Sequence, residues 1–509
     1  MIPKMNHDWT AKWALYQPDQ IAFKDADSGQ SLSYANLNRL ANRLAHKLQR
    51  DCGLQAGDRI AVLSENCLEY ILLFVAAQKM GYIIVPLNYR LTSSELDYLL
   101  QVTEPKVIVR EAIFNAKALA CEQFGACEHH FTMDTINVWC DPNLQEVDDL
   151  RNPEQPVDWE TPIFILFTSG TTGFPKGALY THKMLFWNSI NTSLSLLVNT
   201  QSRTINCMPP FHTGGWNVLT TPFLHHGGYS CLLRKFDPER VLHLLAEERA
   251  TIFMGVPTML KMMADLPAFE QLELPHLQYI IVGGEPMPVP LIEQWHSKGV
   301  PIRQGYGMTE VGPNLTSLHQ DDAIRKKGSI GRPNFYVETK IVDEQGLEVE
   351  ANTPGELLLR GPMVTPGYWK QEAATAKAIK GGWFHTGDRV RMDEEGYLYV
   401  EDRIKNMFIS GGENVYPAEV ERVMLQCPAV SEVVVVGVPD EKWGEVGYAL
   451  VVPENNETFS AEHVQEFCRK HLARFKVPKY VVAIDALPKN DTGKLDRKAL
   501  KKNLLKKAE

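Results

Sequence analysis

The sequence predicts an α/β protein of two domains, and three observations carry that prediction. The chain has 509 residues, too many for one compact core. Short apolar runs suited to buried strands alternate with longer helical patterns through the first two thirds, which argues for mostly parallel sheets covered by helices. From about Gly328 the texture changes to short strands separated by Gly, Pro and Asn turns. The expected architecture is a large N-terminal domain of α/β sandwich layers with a small β-barrel module, followed by a small α+β C-terminal domain.

In chain order the strand-like runs of the large domain are "RIAVLS", "YIIVPL", "KVIVR", "FILFT", "TIFMGVP" and "YIIVGG". The most apolar stretch, "YILLFVAAQKMGYIIVPL", is interrupted by Gln78, Lys79 and Gly81 and reads as a helix followed by a strand, not a membrane span. The β-rich module falls at 330–401. The segment "EGYLYVEDRIKNMFISGGENVYPAEVERVM" then passes from a hairpin into a helix, and "VSEVVVVGVP", "GYALVVP" and "KYVVAI" supply the strands of the last unit. The boundary is expected at Asp402, dividing 1–401 from 402–509. The lysine-rich end "KLDRKALKKNLLKKAE" reads as a solvated helix.

Composition excludes some classes. Apolar residues make up 44% and charged residues 22%, ordinary for a soluble globular protein. A net charge of -10 argues against a general nucleic-acid binder, which needs basic faces. Nine scattered cysteines fit a reducing compartment better than a disulfide framework. The N-terminus lacks the continuous apolar core of a secretory signal, so a cytoplasmic protein without a transmembrane segment is expected. Peripheral membrane contact and a homodimer are left open. Cys121, Cys127, His129 and His130 invite a zinc reading, but the cysteine spacing is wider than zinc ribbons use.

The stretch "FTSGTTGFPKGALYTH" follows the strand-like run "TPIFILF". It groups Thr168, Ser169, Thr171 and Thr172 around Gly170 and Gly173, ahead of Lys176. Glycines let backbone N–H groups approach an anion, hydroxyls add hydrogen bonds, and the lysine adds charge. The ligand that fits is a polyphosphate, although the spacing is not the Walker pattern. Taken alone, the stretch reads also as a flexible surface turn. "RQGYGMTE" sets Tyr306 between Gly305 and Gly307, then Thr309 and Glu310. A flat ring between glycines can lie against a purine, the hydroxyl can reach a phosphate, and the carboxylate can hold Mg²⁺. "GGEPMP" begins at Gly283 at a strand's carboxyl end, where open α/β sheets bind ligands. "FHTGD" ends in Asp388, suited to ribose hydroxyls; "EDRIKN" offers Arg403 and Lys405; "LPKNDTGKLDR" places Lys494 in a loop.

Together and in this order, these stretches resemble the adenylate-forming superfamily of acyl- and aryl-CoA synthetases, luciferases and peptide-synthetase adenylation domains. The likeness runs from "LSYANLNRLANRLA" to "PKNDTGKLDR". It implies a C-terminal domain that is mobile about a hinge at Asp402 and serves two half-reactions in turn. It implies ATP, Mg²⁺ and CoA as cofactors. The phosphate loop falls on Thr168, Ser169, Gly170, Thr171, Thr172, Gly173 and Lys176. The magnesium ligands fall on Glu310 and Thr168. Gly284, Glu285, Pro286, Gln304, Gly305 and Tyr306 take the adenine side, Gly307 belongs to the ATP site, and Thr309 takes a phosphate. Asp388 and Arg403, with Lys405, take the ribose side. Lys494 is the adenylation lysine, and Gly411 and Gly412 line the path of CoA. The residues implied as catalytic are Lys494, Lys176, Thr309 and Glu310. The sequence departs from the family's "R-x-K-D" at Asn406.

The resemblance implies an AMP-forming acid–CoA ligase. In "PPFHTGGWNVL", His212 and Trp216 match the "F-H-x-x-x-W" of fatty acyl-CoA synthetases, where the tryptophan gates an acyl tunnel. With Gly283 and Gly307 they make the expected acid site. This favours a medium- or long-chain fatty acid. An aryl acid, or loading of a separate carrier protein, is the alternative. Trp216 has a plainer reading as buried packing. A catalytically dead AMP-binding regulator would be expected to lack Glu310 or Lys494, and both are present.

Overall fold

The computed structural model describes residues 7–141, 150–154, 156–168, 175–284, 287–403, 406–410, 413–440, 443–454, 459–472, 474–489, 495, 497, 499–501 and 504. Two compact units result: Met1–Thr339 with Leu359–Phe384, and Lys340–Leu358 with His385–Glu509.

In the first unit a six-stranded sheet runs in the order His129–Thr132, Val107–Arg110, Arg59–Leu63, Ile83–Pro86, Pro162–Thr168, Lys176–Thr181. Its strands are parallel except for the last pair, a hairpin that sets Thr168 opposite Lys176. Four parallel neighbours buried on both faces explain why "IAVL", "IIV" and "VIV" read as unbroken apolar runs. The helix Leu68–Met80 is apolar around its whole circumference and is buried accordingly. Lys79 sits inside it because its ammonium meets Asp8 Oδ2 and Asn38 Oδ1, each at 2.6 Å. A buried amine keeps its charge only with such partners. No described helix is long and apolar enough to cross a membrane.

A four-stranded sheet follows the order Ser31–Ser33, Ile21–Asp25, Tyr229–Leu232, Arg203–Asn206. A five-stranded sheet follows Ile252–Gly255, Tyr279–Val282, Ile302–Met308, Gly312–Ser317, Arg332–Pro333. Its first three strands are parallel and their carboxyl ends carry Gly255, Gly283 and Gly305. All six apolar runs singled out above as strands are strands. The stretch after His212 is not a simple loop. Gly214–Val218 is a π-helical turn that runs into the helix Thr220–His225.

The second unit has a sheet in the order Glu413–Val415, Phe408–Ser410, Gly444–Pro453, Val430–Asp440, with Tyr480–Ala483 parallel to Gly444–Pro453. The helices Pro417–Met424 and Ala461–His471 pack on it around Val420, Met424, Val464 and Cys468. Trp383–Met392 pairs antiparallel with Leu398–Arg403.

Candidate active site

Thr168 closes one strand of the hairpin and Lys176 opens the other, so the hydroxyl-rich loop is strung between them. The segment Thr365–Trp369 is laced to this hairpin. Trp369 N donates to Gly177 O at 2.7 Å and Leu179 N to Gly367 O at 3.0 Å. The same segment reaches Glu310, whose backbone carbonyl accepts from Thr365 N at 2.7 Å. Tyr368 completes the link. Its hydroxyl donates to Glu310 Oε1 at 3.0 Å, and the Lys176 ammonium lies 5.0 Å from its ring centroid. Burial, and then the Glu310 charge, push the Tyr368 phenol far above its ordinary pKa, so it stays a neutral donor. A cation, a phenol and a carboxylate are thus grouped at the end of the hairpin where Thr168 faces Lys176. Hard oxygen ligands from Glu310 and Thr168 suit Mg²⁺, which takes its remaining ligands from phosphates and water.

The strand Ile302–Met308 supplies the second part. Gln304 is buried, and its Oε1 accepts from Met287 N at 3.2 Å, while Nε2 has no partner among the described residues. A buried donor left over beside Gly305 and Tyr306 is what an aromatic base with ring-nitrogen acceptors requires. Gly284 has φ +86°, a left-handed turn immediately after the neighbouring strand. A Cβ on Gly307 would lie 2.2 Å from Pro313 O, so the hairpin partner comes closer there than any side chain permits. Thr309 begins the short helical turn Thr309–Val311 that presents Glu310. Arg303 belongs to the frame: its guanidinium donates to Ser195 O and Ser317 Oγ, both at 2.9 Å.

On the expected acid side, His212 is half-buried and lies tilted against Phe211, with centroids 4.6 Å apart. Trp216 is only 2% exposed. Its ring meets Phe74, Tyr70 and Phe164 at 5.0, 5.1 and 5.4 Å, and its N–H donates to Pro210 O at 2.7 Å. These are the surroundings of a core residue. Gly283 lies beside Gly305, whose carbonyl oxygen would be 3.5 Å from a Cβ there.

In the second unit, Asp388 is buried and stands directly opposite Arg403 in the ladder. Asp402 is also buried; its Oδ2 accepts from Ala418 N at 2.8 Å and its Oδ1 from Asn406 Nδ2 at 3.2 Å. Asn406, the departure from the family's aspartate, therefore donates where a second carboxylate would repel. Ser169, Gly170, Thr171, Thr172, Gly173, Glu285, Pro286, Lys405, Gly411, Gly412 and Lys494 lie outside the described residues.

Residues 10–369 match the family described as AMP-binding enzyme, and residues 419–494 match the AMP-binding enzyme C-terminal domain. The chain belongs to the AMP-binding enzyme family. Among relatives of this AMP-binding enzyme, the long-chain-fatty-acid–CoA ligase FadD13 of Mycobacterium tuberculosis is 36% identical over 497 residues, covering 96% of each chain. A feruloyl-CoA synthase of Amycolatopsis sp. is 36% identical over 487 residues, again covering 96% of each. The fold matches o-succinylbenzoate-CoA synthetase (MenE) of Bacillus subtilis, solved with the acyl-adenylate OSB-AMP, with TM-score 0.86 and 31% identity over 97% of this chain and 98% of that one. The same synthetase with ATP and magnesium ion gives TM-score 0.84 at 30% identity, over 97% and 99% of the chains.

Tyr368 and Thr365 escaped the sequence reading of this AMP-binding enzyme. The one signal for them was "TPGYW", in which Pro and Gly precede a tyrosine inside a β-rich stretch.

Proposed function

We propose that this AMP-binding enzyme is an ATP-dependent acid–CoA ligase that uses ATP, Mg²⁺ and CoA. The observation that carries this reading is the grouping of Lys176, Tyr368 and Glu310 beside the hydroxyl-rich loop. The names of the relatives, a CoA ligase, a CoA synthase and a CoA synthetase, support it.

The first step joins two anions. A carboxylate oxygen of the acid attacks the α-phosphorus of ATP, the bond from that phosphorus to the bridging oxygen breaks, and pyrophosphate leaves. Lys176 and the N–H and hydroxyl groups of residues 169–173 hold the departing phosphates. Glu310 and Thr168 would hold Mg²⁺, which when bound would supply charge neutralisation there. Thr309 donates to a phosphate oxygen. Gln304, Gly305 and Tyr306 bind the adenine, with Gly284, Glu285 and Pro286, and Asp388, Arg403 and Lys405 take the ribose side. Lys494 bridges the attacking carboxylate and the α-phosphate. Positioning and electrostatics carry the step without a protein nucleophile. In the second step the CoA thiol attacks the acyl carbon, loses its proton to solvent and expels AMP. Gly411 and Gly412 line the thiol's path after a turn about Asp402, the boundary between 1–401 and 402–509 in this reading.

The acid in this reading is a medium- or long-chain fatty acid, supported by the "F-H-x-x-x-W" spacing of His212 and Trp216 and by the name of FadD13. An aryl acid is the second reading, favoured by the closed packing around Trp216 and by the name of the feruloyl-CoA synthase. The composition and the scattered cysteines support a cytoplasmic enzyme. The test is acyl-CoA and AMP formation from ATP and CoA with fatty acids of rising length, benzoates and cinnamates. Fatty acids are expected to give the highest kcat/KM. Turnover confined to the aryl acids would replace the fatty-acid reading, and AMP formation with none of them would overturn the ligase.

A further inference from the structure

The π-helical turn Gly214–Val218 poses a hydrogen-bonding problem written in the sequence. It is followed by "LTTPF", so the residue four beyond Val218 is Pro222. Proline has no N–H to give to the carbonyl four residues back, and its ring crowds that carbonyl. A wide π turn relieves the crowding and leaves carbonyls to be satisfied by other donors. The structure supplies them from three directions. Asn206 Nδ2 and Thr220 Oγ1 donate to Gly215 O at 3.0 and 2.8 Å. Asn188 Nδ2 donates to Asn217 O at 2.7 Å. Asn314 Nδ2 donates to Thr192 Oγ1 at 2.5 Å and is shared between Val218 O at 3.1 Å and Asn217 O at 3.3 Å.

Of these donors only Asn314 belongs to the hairpin that carries the nucleotide residues. The strand Gly312–Ser317 pairs with Ile302–Met308, placing Thr316 opposite Tyr306 and Gly312 opposite Met308, with a register shift between. Asn314 sits across from that shift, where Pro313 O crowds Gly307. Its backbone is pinned as well, since Asn314 O accepts from Asn334 Nδ2 at 2.9 Å. Asn314 thus links the strand paired with Tyr306 to the turn holding Trp216 through a buried amide. Asn188 Oδ1 is buried without a partner among the described residues, beside Gly312, where a Cβ would lie 3.0 Å away. Among the described residues the network around the turn thus leaves one acceptor without a donor, a state that a small shift can change.

We propose that Asn314 is a positioning residue that couples the nucleotide strand to the His212–Trp216 segment. This rests on the nucleotide reading of Tyr306–Glu310 given above. The test is hydrogen–deuterium exchange with MgATP and no acid, so that nothing turns over, on the parent, Asn314→Ser and Asn206→Ser. In the parent, peptides over 303–310 and 213–221 are both expected to change on adding MgATP. In Asn314→Ser the 303–310 response should persist while the 213–221 response is lost. Asn206→Ser loosens the same turn from the other side and should keep both responses. The kinetic counterpart is the acid KM at saturating against limiting ATP: a shift of about fivefold or more in the parent should shrink to within about twofold in Asn314→Ser. A full 213–221 response in Asn314→Ser overturns the coupling. So does a parent that responds at 303–310 alone, and this arm decides even if the variant does not fold. A parent silent at both segments overturns the nucleotide reading and the coupling with it.

Discussion

Tyr368→Phe removes one hydroxyl, the donor to Glu310 Oε1, and leaves the ring under Lys176. The carboxylate loses its orienting partner while the packing stays. We predict an unchanged melting temperature, a rise in the Mg²⁺ concentration needed for half-maximal rate, and a fall in kcat of about tenfold, less than the roughly hundredfold or more that loss of a donor aimed at the reacting charge itself costs. A magnesium titration of the initial rate checks this. His182 lies at the end of the same loop motif and is buried, with neither ring nitrogen partnered among the described residues. Burial, and then His7, push its pKa down to about 3. The folded state keeps the ring neutral while the unfolded chain takes a proton below about 6.5. The unfolded state then binds more protons, so stability is full above pH 6.5 and falls as the pH drops toward 3, by about 1.4 kcal/mol per pH unit for this group. Denaturant melts from pH 7 to 4 should include that slope beside those of half-buried His7, His225 and His226, and His182→Leu should reduce the total by this group's share. Lys176 and Glu310 were legible in the sequence because each sits in a short stretch whose residue types already state a chemistry. Tyr368 was not, because its role comes from a contact across 58 positions, and a tyrosine beside a tryptophan looks like ordinary core.

The helix Pro417–Met424 shows how an element depends on a distant residue. Its N-cap position, Tyr416, makes no capping hydrogen bond with its side chain. Asp402 takes that part by accepting from Ala418 N. Asp402→Ala should therefore cost about 1–2 kcal/mol, the worth of an N-cap, measured by denaturant unfolding. Asp402→Pro would instead fix the backbone of the proposed hinge, and the two half-reactions should then change by different factors. At the turn Gly214–Val218, Trp216→Ala opens a cavity among Tyr70, Phe74 and Phe164. The expected cost is about 3–5 kcal/mol, with activity lowered on all acids alike. A changed chain-length profile with an unchanged melt would restore the gating role. The strands were readable because two-sided burial writes unbroken apolar runs. The π turn was not, because it arises from Pro222 together with asparagines at 188, 206 and 314 on three other elements.

At the scale of the whole molecule, the order of the motifs along the chain was legible, and so was the change of texture near Gly328. The compact units were less so. Residues 340–358 group with the C-terminal segment although they are separated from it in sequence. Short apolar strands name no partner until the sheet forms, so local patterning cannot assign such an excursion. The hinge at Asp402 concerns motion, and half-reaction rates test it better than compactness does. The account's central claim is that the acid is activated as an adenylate before CoA reacts. Attack on the α-phosphorus makes a bond between a carboxylate oxygen and AMP, and thiol attack at carbon leaves that oxygen behind. The most direct measurement uses an acid labelled with ¹⁸O in both carboxylate oxygens, turned over with ATP and CoA, with the products read by mass spectrometry. The account predicts one ¹⁸O in AMP, one retained in the thioester and none in pyrophosphate. Unlabelled AMP, or label in inorganic phosphate beside ADP, would contradict it.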